Sequence, residues 1–190
     1  MKDTIRKDIQ QKRCALTADD VREKSFLIKH RVFSLREFIE AETILFYVSY
    51  GNEVFTHDMI KESLVMNKQV VVPCTDVKKK QLIASNLFHW DECSPGAYHI
   101  LEPRKECIRP VSVGAVDLII VPAISFDCFG QRIGHGMGYY DKLLQKAIRT
   151  EKIGLAFELQ LVEKIPAEIH DIRVDKIVTE KRVIVCREPR

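Results

Sequence analysis

The stretch Val121–Asp141, VPAISFDCFGQRIGHGMGYYD, gathers residue types that suit the handling of phosphate. Gly134, Gly136 and Gly138 alternate. A chain without side chains at every second position lets backbone N–H groups converge on an anion. Arg132 precedes them, a cation shaped for bidentate contact with phosphate oxygens. A helical pattern opens near Met137–Tyr139, and its N-terminal amides and dipole add to the same field. Asp141 stands at that helix opening. A carboxylate there either stabilises the helix end or holds a magnesium ion, which takes one or two carboxylates with phosphates and water. A second carboxylate is then wanted, and Asp171, in the pair His170-Asp171, is the candidate.

Two common phosphate loops are excluded. No Lys-Ser or Lys-Thr follows the glycines, as a Walker loop requires, and the spacing G-x-G-x-G is not the dinucleotide fingerprint G-x-G-x-x-G. From the glycines alone, a tight structural turn is an equal reading. Cys128 lies inside the segment, but no His is fixed near it by spacing, so covalent chemistry there is the lesser reading. Asp127 reads as a cap of the loop and not as a metal ligand.

The elements that must hold this segment follow an α/β order. Lys2–Cys14 has helical character, and Thr17 with Asp20 marks the start of a second helix. Val21, Ile28, Val32, Leu35 and Ile39 form its apolar stripe, which predicts an end near Glu40. Thr43–Ser49 reads as a strand covered on both faces. Thr56 is expected to cap a helix over roughly Asp58–Met66, and Gln69–Val72 reads as a strand before Pro73. Lys78–Lys80 is expected in a solvated turn, Gln81–Trp90 as a strand, and Asp91–Pro110 as an excursion over the surface. Asp117–Pro122 is a buried strand, Ala123–Gly138 a loop, and the helix after it is expected to run to about Arg149 with Tyr140, Leu143, Leu144, Ala147 and Ile148 as its apolar face. Lys152–Phe157, Ile177–Thr179 and Val183–Val185 complete the strands. Helix and strand in alternation predict an α/β fold: a single three-layer domain, residues 1–190, with a mostly parallel central sheet and helices on both faces. In such sheets ligands bind beyond the carboxyl ends of the strands, where the glycine segment falls.

Composition narrows the partners. At 46% hydrophobic and 30% charged residues the chain is ordinary for a globular protein and too apolar for disorder. A net charge of +3 is too weak to predict nucleic-acid binding, yet leaves cations for an anionic ligand. No apolar run is long enough to span a membrane. The opening MKDTIRKDIQQKR lacks the apolar segment of a secretory signal, and six Cys without metal or disulfide-framework spacing read as free thiols of a cytoplasmic protein.

The stretch FDCFGQRIGHGMGYYDKLL resembles the signature of the 5-formyltetrahydrofolate cyclo-ligase family, also called 5,10-methenyltetrahydrofolate synthetases. An early basic helix, Tyr50-Gly-Asn-Glu53 with Thr56, GLAFELQ, Pro166 and His170-Asp171 extend the resemblance over nearly the whole chain. The resemblance implies an ATP- and Mg2+-dependent enzyme. ATP phosphorylates the formyl oxygen of 5-formyltetrahydrofolate, the bridging amine attacks the formyl carbon, and phosphate leaves to give 5,10-methenyltetrahydrofolate. It further implies that Lys2 and Arg6 contact ATP, and that Arg132, Ile133, Gly134, His135, Gly136, Met137, Gly138, Tyr139 and Tyr140 form the nucleotide loop. Asp141 and Asp171 match the metal ligands. Val48, Glu53, His135 and Tyr139 match folate positions, and Arg132 and Tyr139 are the expected catalytic residues.

Residue chemistry can be set beside each transfer. Lys2 and Arg6 are four apart, so a helix puts both on one face. Glu53 could accept hydrogen bonds from the amino-pyrimidinone edge of a pterin. Tyr139 is expected toward the ligand and Tyr140 in the core. The chain departs from the family at Ala123, at Ile133, and at His135 and Met137, where basic residues often stand. His135 can regain that charge only by protonating, which predicts anion binding that strengthens toward lower pH. A non-catalytic nucleotide- or folate-binding module of the same fold, or a related ligase for a modified pterin, stays open. The expected partners are small molecules, without nucleic acid or membrane, on a monomer or weak homodimer.

Overall fold

A computed structural model describes residues 1–168 and 171–187, so His170 lies outside the described residues. Helix α1 (Lys2–Cys14) forms where expected and buries Ile9. Helix α2 (Ala18–Phe33) starts on the anticipated capping box: the Thr17 hydroxyl accepts from the Asp20 N–H at 3.1 Å, and the Asp20 carboxylate accepts from the Thr17 N–H at 2.9 Å. The expected continuous helix to Glu40 is corrected. The chain breaks at Ser34–Leu35 and restarts as α3 (Arg36–Glu40), which buries Phe38 and leaves Ile39 61% exposed.

Strand β1 (Thr43–Leu45) is shorter than expected, although Phe46–Ser49 remain buried beyond it. Helix α4 (His57–Val65) follows. Thr56 does not cap it with its side chain; its hydroxyl donates to the Tyr47 carbonyl at 2.7 Å and accepts from the Ser49 N–H at 3.0 Å. β2 (Gln69–Asp76) runs through Pro73, which is tolerated because Pro73 lies past the last residue paired with β1. β3 (Gln81–Leu87) returns antiparallel to β2. The expected surface excursion contains a hairpin of β4 (Cys93–Pro95) and β5 (Leu101–Pro103).

In β6 (Leu118–Pro122) the residues Leu118–Val121 are fully buried, as expected of a strand packed on both sides. The predicted loop 123–138 is corrected: β7 (Ser125–Asp127) and β8 (Arg132–Ile133) pair within it. Helix α5 (Tyr139–Leu144) ends earlier than its apolar stripe predicts, and Ile148 is exposed. β9 (Glu151–Leu155), β10 (Leu161–Val162), β11 (Lys176–Val178) and β12 (Val183–Val185) complete the chain.

Seven strands form the main sheet in the order β12-β11-β9-β6-β1-β2-β3. The inner pairings β2·β1, β1·β6, β6·β9 and β9·β11 are parallel, and both edge strands are antiparallel. Alternate residues of these strands feed two cores. One joins Ile44, Ile120 and Ile153 to Ile28 and Val32 of α2, Phe38 of α3 and Ile60 of α4. The other joins Leu45, Ile119 and Ile177 to Leu143 and Leu144 of α5. The sheet thus has helices on both faces, as the alternation of elements predicts.

Candidate active site

A cavity of about 760 Å³ opens beyond the carboxyl ends of β1, β2 and β6, within the usual size of small-molecule sites. The residues that the family resemblance marks for ATP, folate and metal line it: Lys2, Arg6, Val48, Glu53, residues 132–141 and Asp171.

The glycine loop forms one end. Gly136 and Gly138 adopt φ of +90° and +68°, the left-handed region where a side chain is strained, so the turn itself demands glycine there. Gly134 has no such constraint; its carbonyl accepts from Arg6 Nε at 3.0 Å. Arg6 also pairs with Asp3. Arg132 is buried at the base of the loop and pairs with Asp141. Burial disfavours the charge of this guanidinium, while Asp141 and Asp171 favour it. Its Nε is buried without a hydrogen-bond partner among the described residues.

Lys2 stands one turn before Arg6 and holds Asp171 at 2.8 Å and Glu168 at 2.9 Å. Burial opposes its charge, but its hydrogen bonds to these two carboxylates, with their negative charge, outweigh that and raise its pKa. The spacing argument therefore holds: Lys2 and Arg6 share one helix face, turned toward the cavity. Further along α1, Arg13 donates to the Asn52 side chain at 2.8 Å, which ties this helix to the loop that carries Glu53.

The opposite end is made by the chain after β1. Val48 is buried, and the Tyr47 hydroxyl donates to the Val54 carbonyl at 2.8 Å. Reciprocal hydrogen bonds between Ser49 and Thr56 hold the ends of the loop that carries Glu53. Glu53 accepts from the Tyr50 N–H at 3.0 Å. Burial raises the Glu53 pKa, opposed by that N–H and by Arg13.

Desolvation first, then the charges of Arg13 and Arg6, lower the His135 pKa, so protonation there sets in at a lower pH than for an ordinary histidine. Tyr140 packs against both cores as predicted, yet it also lines the cavity; burial pushes its hydroxyl pKa up. The Tyr139 hydroxyl is hydrogen-bonded to Tyr98, which raises its pKa. Asp127 is a loop cap: its carboxylate accepts from the N–H groups of Phe129, Gln131 and Ile165. All six cysteines are free, and Cys128 is exposed.

Sequence reasoning missed a third wall. Thr75, Leu82, Tyr98, Ile100 and Glu102 face the same cavity. Glu102 accepts from the Thr75 hydroxyl at 2.6 Å. Gly96 in Ser-Pro-Gly signalled a turn here, but the hairpin strands are only three residues long and give no readable alternation.

An open, largely parallel α/β sheet with a partly cationic, glycine-edged cavity at its strand ends defines a class of small-molecule-binding proteins. Comparison with known proteins narrows the class. A sequence profile of the 5-formyltetrahydrofolate cyclo-ligase family matches residues 1–180, and the chain belongs to that family of enzymes. It is similar to the 5-formyltetrahydrofolate cyclo-ligase of Escherichia coli K12, 30% identical over 178 residues, covering 92% of this chain and 98% of the relative. The mouse cyclo-ligase is 27% identical over 186 residues, covering 93% and 92%. The solved 5,10-methenyltetrahydrofolate synthetase of Aquifex aeolicus superposes with a TM-score of 0.87 at 31% identity, covering 100% of this chain and 94% of that one. Family and relatives together support cyclo-ligase activity. No helix among the described residues is long and apolar enough to cross a membrane.

Proposed function

We propose that residues 1–190 act as one domain that converts 5-formyltetrahydrofolate and ATP to 5,10-methenyltetrahydrofolate, ADP and phosphate. The observation that carries this reading is a single cavity with two chemically unlike ends. At one end Arg6, Arg132 and the glycine loop suit a polyphosphate; at the other Tyr47, Val48 and Glu53 offer an apolar slot with one carboxylate.

The donor set also fits a magnesium ion. Asp141 and Asp171 both line the cavity, and each is paired with a cation that can turn to phosphate: Arg132 and Lys2. Among the described residues no cluster of three metal-binding side chains occurs, and magnesium on a nucleotide takes only one or two carboxylates. Asp141 and Asp171 would hold such an ion, which would offset charge on the group in transfer.

In this reading the substrate's formyl oxygen attacks the terminal phosphorus of ATP, and ADP leaves. No protein nucleophile is needed, so the chain's work is positioning and charge stabilisation. Arg132 and the loop amides face the transferred group. Glu53 orients the pterin by accepting its N–H groups, and Tyr139 closes the loop side of the cavity through its bond to Tyr98. The bridging amine then attacks the formyl carbon, its proton is lost, and phosphate departs from that carbon.

We place the protein in the cytoplasm, as a monomer or weak homodimer without nucleic-acid or membrane partners. The test is the rise in methenyl-folate absorbance with 5-formyltetrahydrofolate, ATP and magnesium, each left out in turn. Product should require all three. ATP binding without product would favour a non-catalytic module.

A further inference from the structure

Glu53 stands on a short loop, and part of what fixes that loop lies outside the cavity. Ser49 and Thr56 close its base, and every polar group of Ser49 is engaged there. Its N–H donates to the Thr56 hydroxyl, and its hydroxyl accepts from the Thr56 N–H, each at 3.0 Å. Its carbonyl meets His57 Nε2 at 3.0 Å. Burial lowers the His57 pKa, a shift that the Ser49 carbonyl opposes, so the ring is neutral at pH 7. A carbonyl only accepts, so the hydrogen of the neutral ring is on Nε2, which donates.

The same ring has two aromatic neighbours. Its centroid lies 4.4 Å from that of Phe55 and 4.8 Å from that of Trp90. Phe55 belongs to the loop itself, and Trp90 opens the short turn that leads into β4. The β4–β5 hairpin carries Tyr98, Ile100 and Glu102 to the third wall of the cavity. Phe55, His57 and Trp90 are not themselves cavity-lining residues. His57 is also the first residue of α4, which is anchored in the core by Met59 and Ile60. One side chain on a fixed helix therefore holds the start of the Glu53 loop by a hydrogen bond and touches the chain that supplies the wall beside it.

We infer that His57 is a positioning residue for the folate site: its Nε2–H, bonded to the Ser49 carbonyl, keeps the Glu53 loop in the arrangement that receives the pterin, without touching substrate. This rests on the cyclo-ligase reading for the identity of the ligand. Without that bond the loop spends part of its time in other arrangements, and apparent affinity falls by the fraction of competent loop that is lost. Arg6, Arg132 and the glycine loop take no hydrogen bond from His57, so the phosphate end keeps its geometry.

The test compares two variants. His57→Phe keeps a flat ring beside Phe55 and Trp90 but has no donor; His57→Gln gives up the ring and keeps an N–H at about the same reach. Equilibrium binding of 5-formyltetrahydrofolate, measured without ATP, should weaken about fivefold in His57→Phe, the scale of one hydrogen bond, and stay within about twofold of wild type in His57→Gln. KM for the folate should follow the same order, while kcat and KM for ATP hold. A merely structural role predicts the opposite ranking, because Gln discards the ring contacts that Phe retains, and it would lower Tm without separating folate from ATP. Unaltered folate affinity in His57→Phe would overturn the role of His57, as would an equal rise in KM for ATP or a failure of Gln to restore affinity. Absence of any 5-formyltetrahydrofolate binding by the wild-type protein would overturn the ligand reading itself, and this role with it.

Discussion

Replacing Asp141 separates a catalytic role from a structural one. Its partner Arg132 has a side chain only 4% exposed, and Asp141 itself is 26% exposed. Removing one member of a fully buried pair costs about 3–5 kcal/mol, because an uncompensated charge stays behind. Here Asp141 is partly in solvent and Asp171 still acts on Arg132, so Asp141→Ala should cost about half of that, ~2 kcal/mol. At this chain length such a loss lowers Tm by about 4–8 °C. Asp141→Asn keeps the shape and an acceptor for Arg132, and should cost about 1 kcal/mol, or about 2–4 °C. Both variants should lose at least about 100-fold in kcat/KM for magnesium-ATP, since both lack the charge that would hold the ion. Thermal unfolding and the methenyl-folate assay on the same samples give the two numbers. Wild-type turnover by Asp141→Asn at saturating magnesium would refute the reasoning. An activity loss that merely follows the fraction unfolded would reduce Asp141 to a counter-ion.

Two further outcomes follow from the same geometry. Arg132→Ala should lose more turnover than Lys2→Ala, because Arg132 is buried at the loop while Lys2 sits in the first turn and shares its charge with the half-exposed Glu168; equal losses in kcat/KM for ATP would show that α1 matters as much as the loop. Glu53 has a pKa raised by burial, so the folded protein holds its proton more tightly than the unfolded chain. That contribution is complete below the ordinary carboxylate value and is lost as pH rises through the folded value. Glu53→Gln should therefore raise Tm at pH 7 relative to wild type, give no gain near pH 4, and raise KM for the folate; a variant less stable at pH 7 than at pH 4, relative to wild type, would contradict this sign.

The parts of the fold that were readable from sequence are those where local chemistry and packing agree. The Thr17–Asp20 box, the strand Leu118–Pro122 and the glycine loop each carry their own signal. The misreadings come where tertiary contacts override a local pattern. Ile39 fits the α2 stripe, but the break at Ser34–Leu35 rotates the following turn and gives its place to Phe38. Thr56 has the side chain of a cap, yet its hydroxyl is more useful between Tyr47 and Ser49, where buried backbone groups need partners. The residues carried over from the family resemblance converge on one cavity, whereas Tyr98 and Glu102 went unseen because a left-handed tip between three-residue strands has no periodicity to read. His135 shows the converse: its residue type suggests a proton switch, and only the structure shows the burial, and after it the nearby Arg13 and Arg6, that lower its pKa.

The charge pattern of the site carries a consequence for how a nucleotide would enter it. At the proposed phosphate end the cations are held by carboxylates: Lys2 by Asp171 and Glu168, Arg6 by Asp3, Arg132 by Asp141. A polyphosphate arriving alone must compete with those carboxylates, and a metal arriving alone must take them from their cations. Arriving together, each releases the partner the other needs, so binding becomes an exchange of ion pairs instead of an attraction to free charge. In that reading the cations come from α1 and from the base of the loop, pre-positioned by the carboxylates they would give up, and basic residues at His135 and Met137 would not be required.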